Sequence, residues 1–312
     1  MDNLTHSLVG ALLGRMGLKR LTPYAMPALI IAANLPDIDS FVARPLGIEP
    51  IAEHRGFTHG IGGMLTMPFL AAAIILLWQK FRPSKEGPVR LRGLLICCFA
   101  ATLSHPLMDY ITSYGTRLLE PFSHRWFYGD AIFIVDPWLW LILILGLEMS
   151  WRAERLGRNW TRPAWWAFAA AFGYIALNFA ISARAVAVTR PLVQRVAEPE
   201  MIEAGEVPLT FWKRKMIWRG EGLGGSGTYN PLDGLNSAWL SPKIMPLNMD
   251  DPRLAEAAKR DEHVRAFLFW SRMPMVYEEG GHAYLTDQRF FESGRASSAG
   301  FLIRLDNEGS KP

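Results

Sequence analysis

Cysteine is nearly absent from this 312-residue chain: Cys97 and Cys98 are adjacent in an apolar run, and there are no others. That excludes a disulfide scaffold and a Cys-rich zinc finger and leaves the pair as packing residues. A dominant charge is also lacking, with 33 Lys+Arg against 29 Asp+Glu and a formal net charge of +4. Residues 183–312 hold 17 of each sign, so the whole excess lies in residues 1–182, at the ends of apolar runs. No basic soluble face results, and a nucleic-acid partner is not expected. Gly and Pro, 27 and 21 residues, are too ordinary for a collagen-like or disordered chain, and no repeat or low-complexity tract is visible.

What the chain has is apolar length. Half of it is hydrophobic. Residues 60–78, 94–111, 132–148 and 164–182 are each close to the roughly 20 apolar residues that cross a bilayer. Two shorter stretches, 4–16 and 23–35, precede them and read as an N-terminal pair of short membrane helices, tolerated if packed against protein. The first is no signal peptide, because Asp2 precedes it and the basic residues follow it. Three basic clusters set the orientation: Arg15, Lys19 and Arg20; Lys80, Arg82, Lys85, Arg90 and Arg92; and Arg152, Arg155, Arg158 and Arg162. Placing all three in the cytoplasm sends 36–59, 112–131 and 183–312 to the outer side of a bacterial plasma membrane. The fold class expected is an α-helical polytopic membrane domain, residues 1–182, a helical stalk over 183–206, and a small α+β, strand-rich extracytoplasmic domain over 207–312. Strands are expected over 210–219, 266–277 and 283–290, with a helix over 251–263.

Ionisable residues in or beside membrane spans are costly and mark function by default. Here they recur as His6, Asp37, Asp39, His54, His59, His105 and Asp109, with His124 and Asp136 as weaker members. The topology rests on Lys and Arg alone, yet it puts all of these near one membrane face. His105 lies 13 residues beyond Arg92, about 20 Å along a helix at 1.5 Å per residue. Imidazole nitrogens and carboxylate oxygens suit zinc and other first-row divalent ions. His105 and Asp109, at i and i+4, share a helix face. Seven such side chains exceed what one tetrahedral ion needs, so more than one ion, or one ion with supporting carboxylates, is open. Taken singly, each residue has a plain structural reading: a helix cap at Pro36-Asp37-Ile38-Asp39, a kink at His105-Pro106, an interfacial His59. Only metal binding explains them together. His263 and His282 are isolated and read as structural or solvated.

Four motifs carry a resemblance: Asn3-Leu4-Thr5-His6-Ser7-Leu8-Val9-Gly10, Asn34-Leu35-Pro36-Asp37-Ile38-Asp39, His54-Arg55-Gly56-Phe57-Thr58-His59 and His105-Pro106-Leu107-Met108-Asp109. With them the chain resembles the YdjM-like family of bacterial inner-membrane proteins, described as membrane-bound metal-dependent hydrolases. Phe269-Trp270-Ser271-Arg272 and Asp287-Gln288-Arg289-Phe290 look like the C-terminal extension of longer members. A looser likeness links Asp39 to His54, fifteen residues on, and the His105/Asp109 pair to zinc-dependent phospholipases C. Those enzymes add a second His-x-x-x-Glu pair that is missing here, so a trinuclear site of their kind is not expected.

The function expected is metal-dependent hydrolysis at the outer face of the membrane. A divalent ion, zinc in the first place and manganese in the second, is held by His6, Asp37, Asp39, His54, His59, His105 and Asp109. Asp37 or Asp39 serves as general base, Asp37 being preferred. Arg55 stabilises phosphate or carboxylate charge. The location points to a lipid or lipid-linked substrate with a phosphodiester or ester bond. The alternative is a non-catalytic, metal-stabilised membrane protein whose outer domain binds a partner or envelope component. Ion conduction is disfavoured, because residues 70–77 and 141–147, in the inner halves of their spans, are apolar.

Overall fold

The structure, a computed structural model, describes residues 1–42, 45, 49–292, 295–296 and 301–306. The chain divides into two compact units, Met1–Ala180 with Pro208–Phe211, and Ile181–Val207 with Trp212–Pro312.

The first unit is helical. Asp2 caps α1 (Asn3–Arg15) by accepting from the backbone N–H groups of Leu4 and Thr5. A turn through Gly17 leads to α2 (Ala25–Asn34), which runs through a 3-10 turn (Leu35–Ile38) into α3 (Asp39–Val42). After α4 (Pro50–Glu53) come α5 (Ile61–Phe81), α6 (Leu91–Tyr110), α7 (Pro137–Arg155) and α8 (Thr161–Val193). Small residues let these helices close on one another. Ala25, Ala28, Ala32 and Ala33 of α2 are buried against Ala71, Ala72 and Ile75 of α5 and Leu94, Cys97 and Cys98 of α6. Gly10 is where α1 meets α2: a Cβ there would lie 2.7 Å from the Leu29 carbonyl oxygen, closer than any side chain can sit.

Hydrogen bonds between helix ends show which termini lie together. At one end Arg90 N–H donates to Thr22 Oγ1 at 2.8 Å, Tyr24 hydroxyl to the Arg82 carbonyl, and Arg15 Nε to Ser150 Oγ at 2.8 Å. The Ser150 hydroxyl in turn donates to Trp160 O at 2.6 Å. At the other end Asp2 N–H donates to Ile134 O at 3.3 Å, Ala131 N–H to Ile111 O at 3.0 Å and Ile61 N–H to Leu118 O at 3.2 Å. All three basic clusters therefore gather at one end of the bundle, and the His and Asp motifs at the other.

Among the described residues, four helical segments are long and apolar enough to cross a membrane: Ala25–Val42, Ile61–Phe81, Leu91–Tyr110 and Thr161–Val193. Leu65, Phe69, Leu77, Leu141, Leu145 and Phe172 point outward, exposed by more than two fifths each. Such a surface suits lipid and would aggregate in water. The chain is a multi-pass membrane protein of the helical-plus-stranded class that the sequence implies, with two differences. The stretch expected over 23–35 continues to Val42, because Pro36 is absorbed by the 3-10 turn and Asp37 and Asp39 are drawn inward. The stretch expected over 132–148 becomes α7, which begins later, at Pro137. Asp136 caps it by accepting from Leu139 N–H at 2.7 Å, and its last turns carry Glu148, Arg152 and Glu154.

The second unit is built on an antiparallel sheet in the order β1 (Met201–Glu206), β2 (Arg214–Gly220), β3 (Leu223–Tyr229), β4 (Ala238–Pro246). Ala204 pairs with Met216 and Met216 with Gly227. Ala204, Met216 and Tyr229 bury against Ala185 of the last part of α8. Helices α9 (Pro252–Arg260) and α10 (Glu262–Trp270) follow. Then come β5 (Pro274–Glu279), β6 (His282–Asp287), the short pair β7 (Phe291–Glu292) and β8 (Arg295–Ala296), and β9 (Ile303–Arg304), with a sheet order β5-β6-β9.

Residues 266–277 are thus half helix and half strand, not one strand. Asp261 caps α10, and Val264, Phe267 and Trp270, three residues apart, bury one helical face. The two C-terminal motifs meet here. Ser271 Oγ donates to Asp287, Arg289 Nη2 donates to Asp287 Oδ2 at 2.8 Å, and the Arg289 guanidinium lies 4.7 Å from the Trp270 ring centre. Burial pushes the Asp287 pKa up. The Arg289 charge and the hydrogen bonds from Arg289 and Ser271 more than offset this and hold it below the usual carboxylate value. A carboxylate depressed in the folded state stabilises above its unfolded pKa of about 3.9, and that contribution disappears as pH falls further. Asp287→Ala, which removes the buried carboxylate that Arg289 and Ser271 both bond, is expected to destabilise the unit by about 3–5 kcal/mol at pH 7. The loss should shrink below about pH 4, measured by thermal unfolding of the full chain in detergent. A variant as stable as the parent at pH 7 would contradict this role.

Candidate metal centre

The cluster end of the first unit is assembled from five pieces of chain. His6 comes from the first turns of α1, Asp37 from the 3-10 turn, and Asp39 from the start of α3. His59 closes a second 3-10 turn (Phe57–His59), and His105 and Asp109 stand one turn apart on α6. Four ligand-type atoms converge. Nε2 of His59 lies 3.0 Å from Nε2 of His105 and 3.0 Å from Asp109 Oδ2. Nε2 of His105 lies 3.2 Å from Asp109 Oδ2, and Asp37 Oδ1 lies 3.5 and 3.4 Å from the two imidazoles. An ion bound tetrahedrally at 2.0–2.1 Å separates its ligand atoms by about 3.3–3.4 Å. The five separations bracket that value.

The hydrogen bonds decide which ring nitrogens face the cluster. His105 Nδ1 is 2.6 Å from the Ala33 carbonyl oxygen, so Nδ1 carries the proton and Nε2 presents a lone pair. His59 Nδ1 is 2.9 Å from Thr58 Oγ1, whose hydroxyl hydrogen goes to Asp39 Oδ2 at 2.7 Å, so His59 donates from Nδ1 and has the same tautomer. Two lone pairs then face each other at 3.0 Å with carboxylates on either side. That arrangement repels unless a cation lies among them. His6 points the same way. It is 1% exposed, stacks on His105 with ring centres 3.8 Å apart, and has no hydrogen-bond partner on either nitrogen. Its Nε2 lies 3.5 Å from Asp109 Oδ1. Asp109 Oδ2, wholly buried, also lacks a hydrogen-bond donor. Buried acceptors without donors suit a cation among them, so the donor set fits a divalent ion.

Asp39 and His54 stand beside this group. Asp39 accepts from Arg55 N–H at 3.0 Å and Thr58 Oγ1 at 2.7 Å, and its Oδ1 is 3.0 Å from His54 Nδ1. With Ser40 and His59, each at 3.3 Å, it therefore has five partners, and it positions the ligand loop. Asp37, Asp39 and His54 also lie close enough to share an ion. Their side chains are 13%, 9% and 24% exposed, against 0% for His59, His105 and Asp109, so the cluster opens on this side.

Arg55 is buried at 3% exposure. Its Nη2 pairs with Asp109 Oδ1 at 2.9 Å, and Nη1 donates to Thr112 Oγ1 at 3.0 Å and Gly115 O at 3.3 Å. Burial lowers its pKa to about 10 while Tyr114, Asp37 and Asp39 pull it upward, so it is charged at neutral pH. The backbone of Arg55 sits at φ 62°, a left-handed conformation that costs a non-glycine residue on the order of 1–2 kcal/mol and turns the side chain inward. The structure thus places Arg55 as a brace on Asp109. The Met1 amino group is buried against the same carboxylate.

His124 and Asp136 are not part of the cluster. His124 is largely exposed and bonds Glu120 at 2.7 Å, and Asp136 caps α7 and accepts from Tyr174 at 2.9 Å. His263 and His282 lie in the second unit, where His282 is 3.3 Å from Asp306. Sequence reasoning missed Thr58, Thr112 and the Ala33 carbonyl. Thr58 lies inside a motif already singled out. A carbonyl acceptor leaves no mark in sequence at all.

Asp37→Ala or His105→Ala is expected to abolish tight zinc binding. Asp39→Ala, which removes only an orienting partner, should weaken it about 10–100-fold, as read by chelator competition on purified protein. Equal losses in all three would make Asp39 a ligand and contradict this division.

The model of the YdjM inner membrane protein family matches residues 1–185. The chain is also similar to "Uncharacterized protein YfhP" of Bacillus subtilis (strain 168), at 29% identity over 151 residues. That match takes in 45% of this chain and 43% of the relative, so less than half of either is compared. No solved structure matches the chain. The matched residues 1–185 contain every side chain of the cluster and helices α1 to α7 entire. This chain belongs to the YdjM inner membrane protein family.

Proposed function

We propose that the chain is a membrane-embedded, metal-dependent hydrolase whose site lies at the outer face of the plasma membrane. We further propose that it acts on a lipid or lipid-linked phosphodiester or ester. The observation that carries this reading is the convergence of Asp37, His59, His105 and Asp109 at ligand spacing inside an apolar bundle, with an opening beside Asp37. A divalent ion in such a site supplies Lewis acidity and makes water acidic near neutral pH.

The chain's own groups do the rest. Thr58, itself held by Asp39, and the Ala33 carbonyl hold the imidazole protons on Nδ1 and keep both Nε2 atoms aimed at the cluster. Arg55 balances the Asp109 charge. Asp37, the more exposed of the two central carboxylates, accepts the proton of the attacking water. The apolar outer surface of the bundle supports an opening at the level where a lipid's polar group meets its tails. The basic end of the bundle supports a cytoplasmic assignment for that end, and so the outer side for the cluster.

One observation favours a second reading. Four protein donors already complete a tetrahedron, as in structural metal sites. On that reading the ion ties α2, α5 and α6 together, and the second unit binds a partner or envelope component.

Two measurements separate the readings. The zinc- or manganese-loaded parent is expected to cleave lipid phosphodiester or ester substrates in mixed micelles, with at least 100-fold loss in Asp37→Ala. A fully loaded parent without turnover on either class would leave the structural reading. For sidedness, Phe122→Cys in a Cys97→Ser/Cys98→Ser background should react with an impermeant thiol reagent in intact spheroplasts, since Phe122 is 80% exposed at the cluster end. Lys80→Cys, at the basic end, should react only after lysis. The reverse pattern would place the site in the cytoplasm.

A further inference from the structure

The basic end of the first unit holds a cleft of about 490 Å³ that the metal centre does not use. Lys19, Arg20, Tyr24, Glu86, Arg90 and Trp160 are among its walls. Its charge is unusual. Three cations crowd one indole: Lys19 Nζ lies 4.3 Å, the Arg20 guanidinium 4.6 Å and the Arg15 guanidinium 5.2 Å from the Trp160 ring centre. A single carboxylate, Glu154, pairs with both Arg15 and Lys19. It leaves Arg20 unmatched, and Arg90 beside it, whose Nη2 donates to the Arg20 carbonyl oxygen at 2.8 Å. Beneath them Arg15, its side chain 9% exposed, has an Nη2 with no hydrogen-bond acceptor. Glu86 is the other carboxylate in the wall and belongs to the exposed turn between α5 and α6. Like charges held this closely repel, and a buried guanidinium nitrogen without an acceptor costs free energy. The cations in the wall, Lys19, Arg20 and Arg90, call for an anion with several oxygens; the Arg15 nitrogen lies behind that wall.

The position says which anion. The cleft lies where α5 and α7 end and α6 and α8 begin, at the boundary of the apolar bundle. Trp165 and Trp166, in the first turns of α8, are 53% and 66% exposed, as aromatic residues are at the level of lipid headgroups. The apolar part of the wall, Tyr24, Met26, Pro27 and Trp160, faces whatever carries the charge. Basic pockets between membrane helices at this level take anionic headgroups.

We propose that this cleft binds an anionic phospholipid through its headgroup phosphate, held by Arg20 and Arg90 with Trp160 beneath. The site is distinct from the metal centre at the opposite end of the bundle and does not depend on its chemistry.

The test uses the purified full chain in a neutral detergent, with dioleoylphosphatidylglycerol, dioleoylphosphatidylcholine and inorganic phosphate as probes. Adducts are counted by native mass spectrometry, and thermal unfolding is followed in parallel. The parent is expected to bind phosphatidylglycerol at least tenfold more tightly than phosphatidylcholine, to be stabilised by it, and to gain nothing from inorganic phosphate. Arg20→Ala/Arg90→Ala should lose that preference, and Arg20→Lys/Arg90→Lys should retain most of it. A parent without preference overturns the proposal whether or not the alanine variant folds. So does a cooperatively folding alanine variant that keeps the preference, or stabilisation by inorganic phosphate equal to that by the lipid, which would assign the cleft to a soluble anion.

Discussion

Two imidazole nitrogens, Nε2 of His59 and of His105, face each other at 3.0 Å in the interior of an apolar helix bundle, with Asp37 and Asp109 beside them. Neither nitrogen has a proton to offer the other, because each ring spends its own on a fixed acceptor. Opposed lone pairs, with the Asp37 carboxylate facing both imidazoles, are costly in such surroundings. The architecture of the first unit follows from holding them there. Gly10 lets α1 press on α2, α2 fixes the Ala33 carbonyl, and that carbonyl sets the His105 ring. The strained backbone of Arg55 brings a cation to Asp109, and the loop that carries it is tied to Asp39. A divalent ion held there would turn this strain into cohesion and would couple folding to metal binding.

The bundle separates its charges by end. The His and Asp motifs lie at one, the three Lys/Arg clusters at the other, with apolar side chains facing outward between them. A span can carry ionisable groups only where they are matched within the protein or meet the headgroup layer. The first solution is used at the metal centre. The second accounts for the crowding of Arg15, Lys19 and Arg20 around Trp160.

Much of this was legible in sequence because membranes penalise misplaced polarity so heavily. His105 and Asp109 stand out in an apolar run, and their spacing on a helix face is a matter of geometry alone. The meeting of His6, Asp37 and His59 with them was expected on two grounds, a common membrane face and a donor set that suits a metal site. Which carboxylate contacts the cluster and which supports it was not legible, since Asp37 and Asp39 are chemically identical and differ only in what packs beside them. Arg55 was expected to stabilise phosphate or carboxylate charge, and in the structure its guanidinium lies on the Asp109 carboxylate. Helix α10 was read as strand because Phe267 to Trp270 is a short apolar run without a visible period; the cap at Asp261 carried the signal. The C-terminal motifs were visible as motifs, and the structure gives them a physical role in the Asp287, Arg289 and Trp270 knot.

The most direct test of the central claim is X-ray absorption at the metal edge of detergent-purified, zinc-loaded protein, with metal content measured on the same sample. The account predicts at least one ion per chain, with a first shell of nitrogen and oxygen at about 2.0–2.1 Å and the outer-shell scattering of imidazole. Protein that retains no zinc after loading, or a first shell of sulfur at about 2.3 Å, which would move the ion to Cys97 and Cys98, would contradict it.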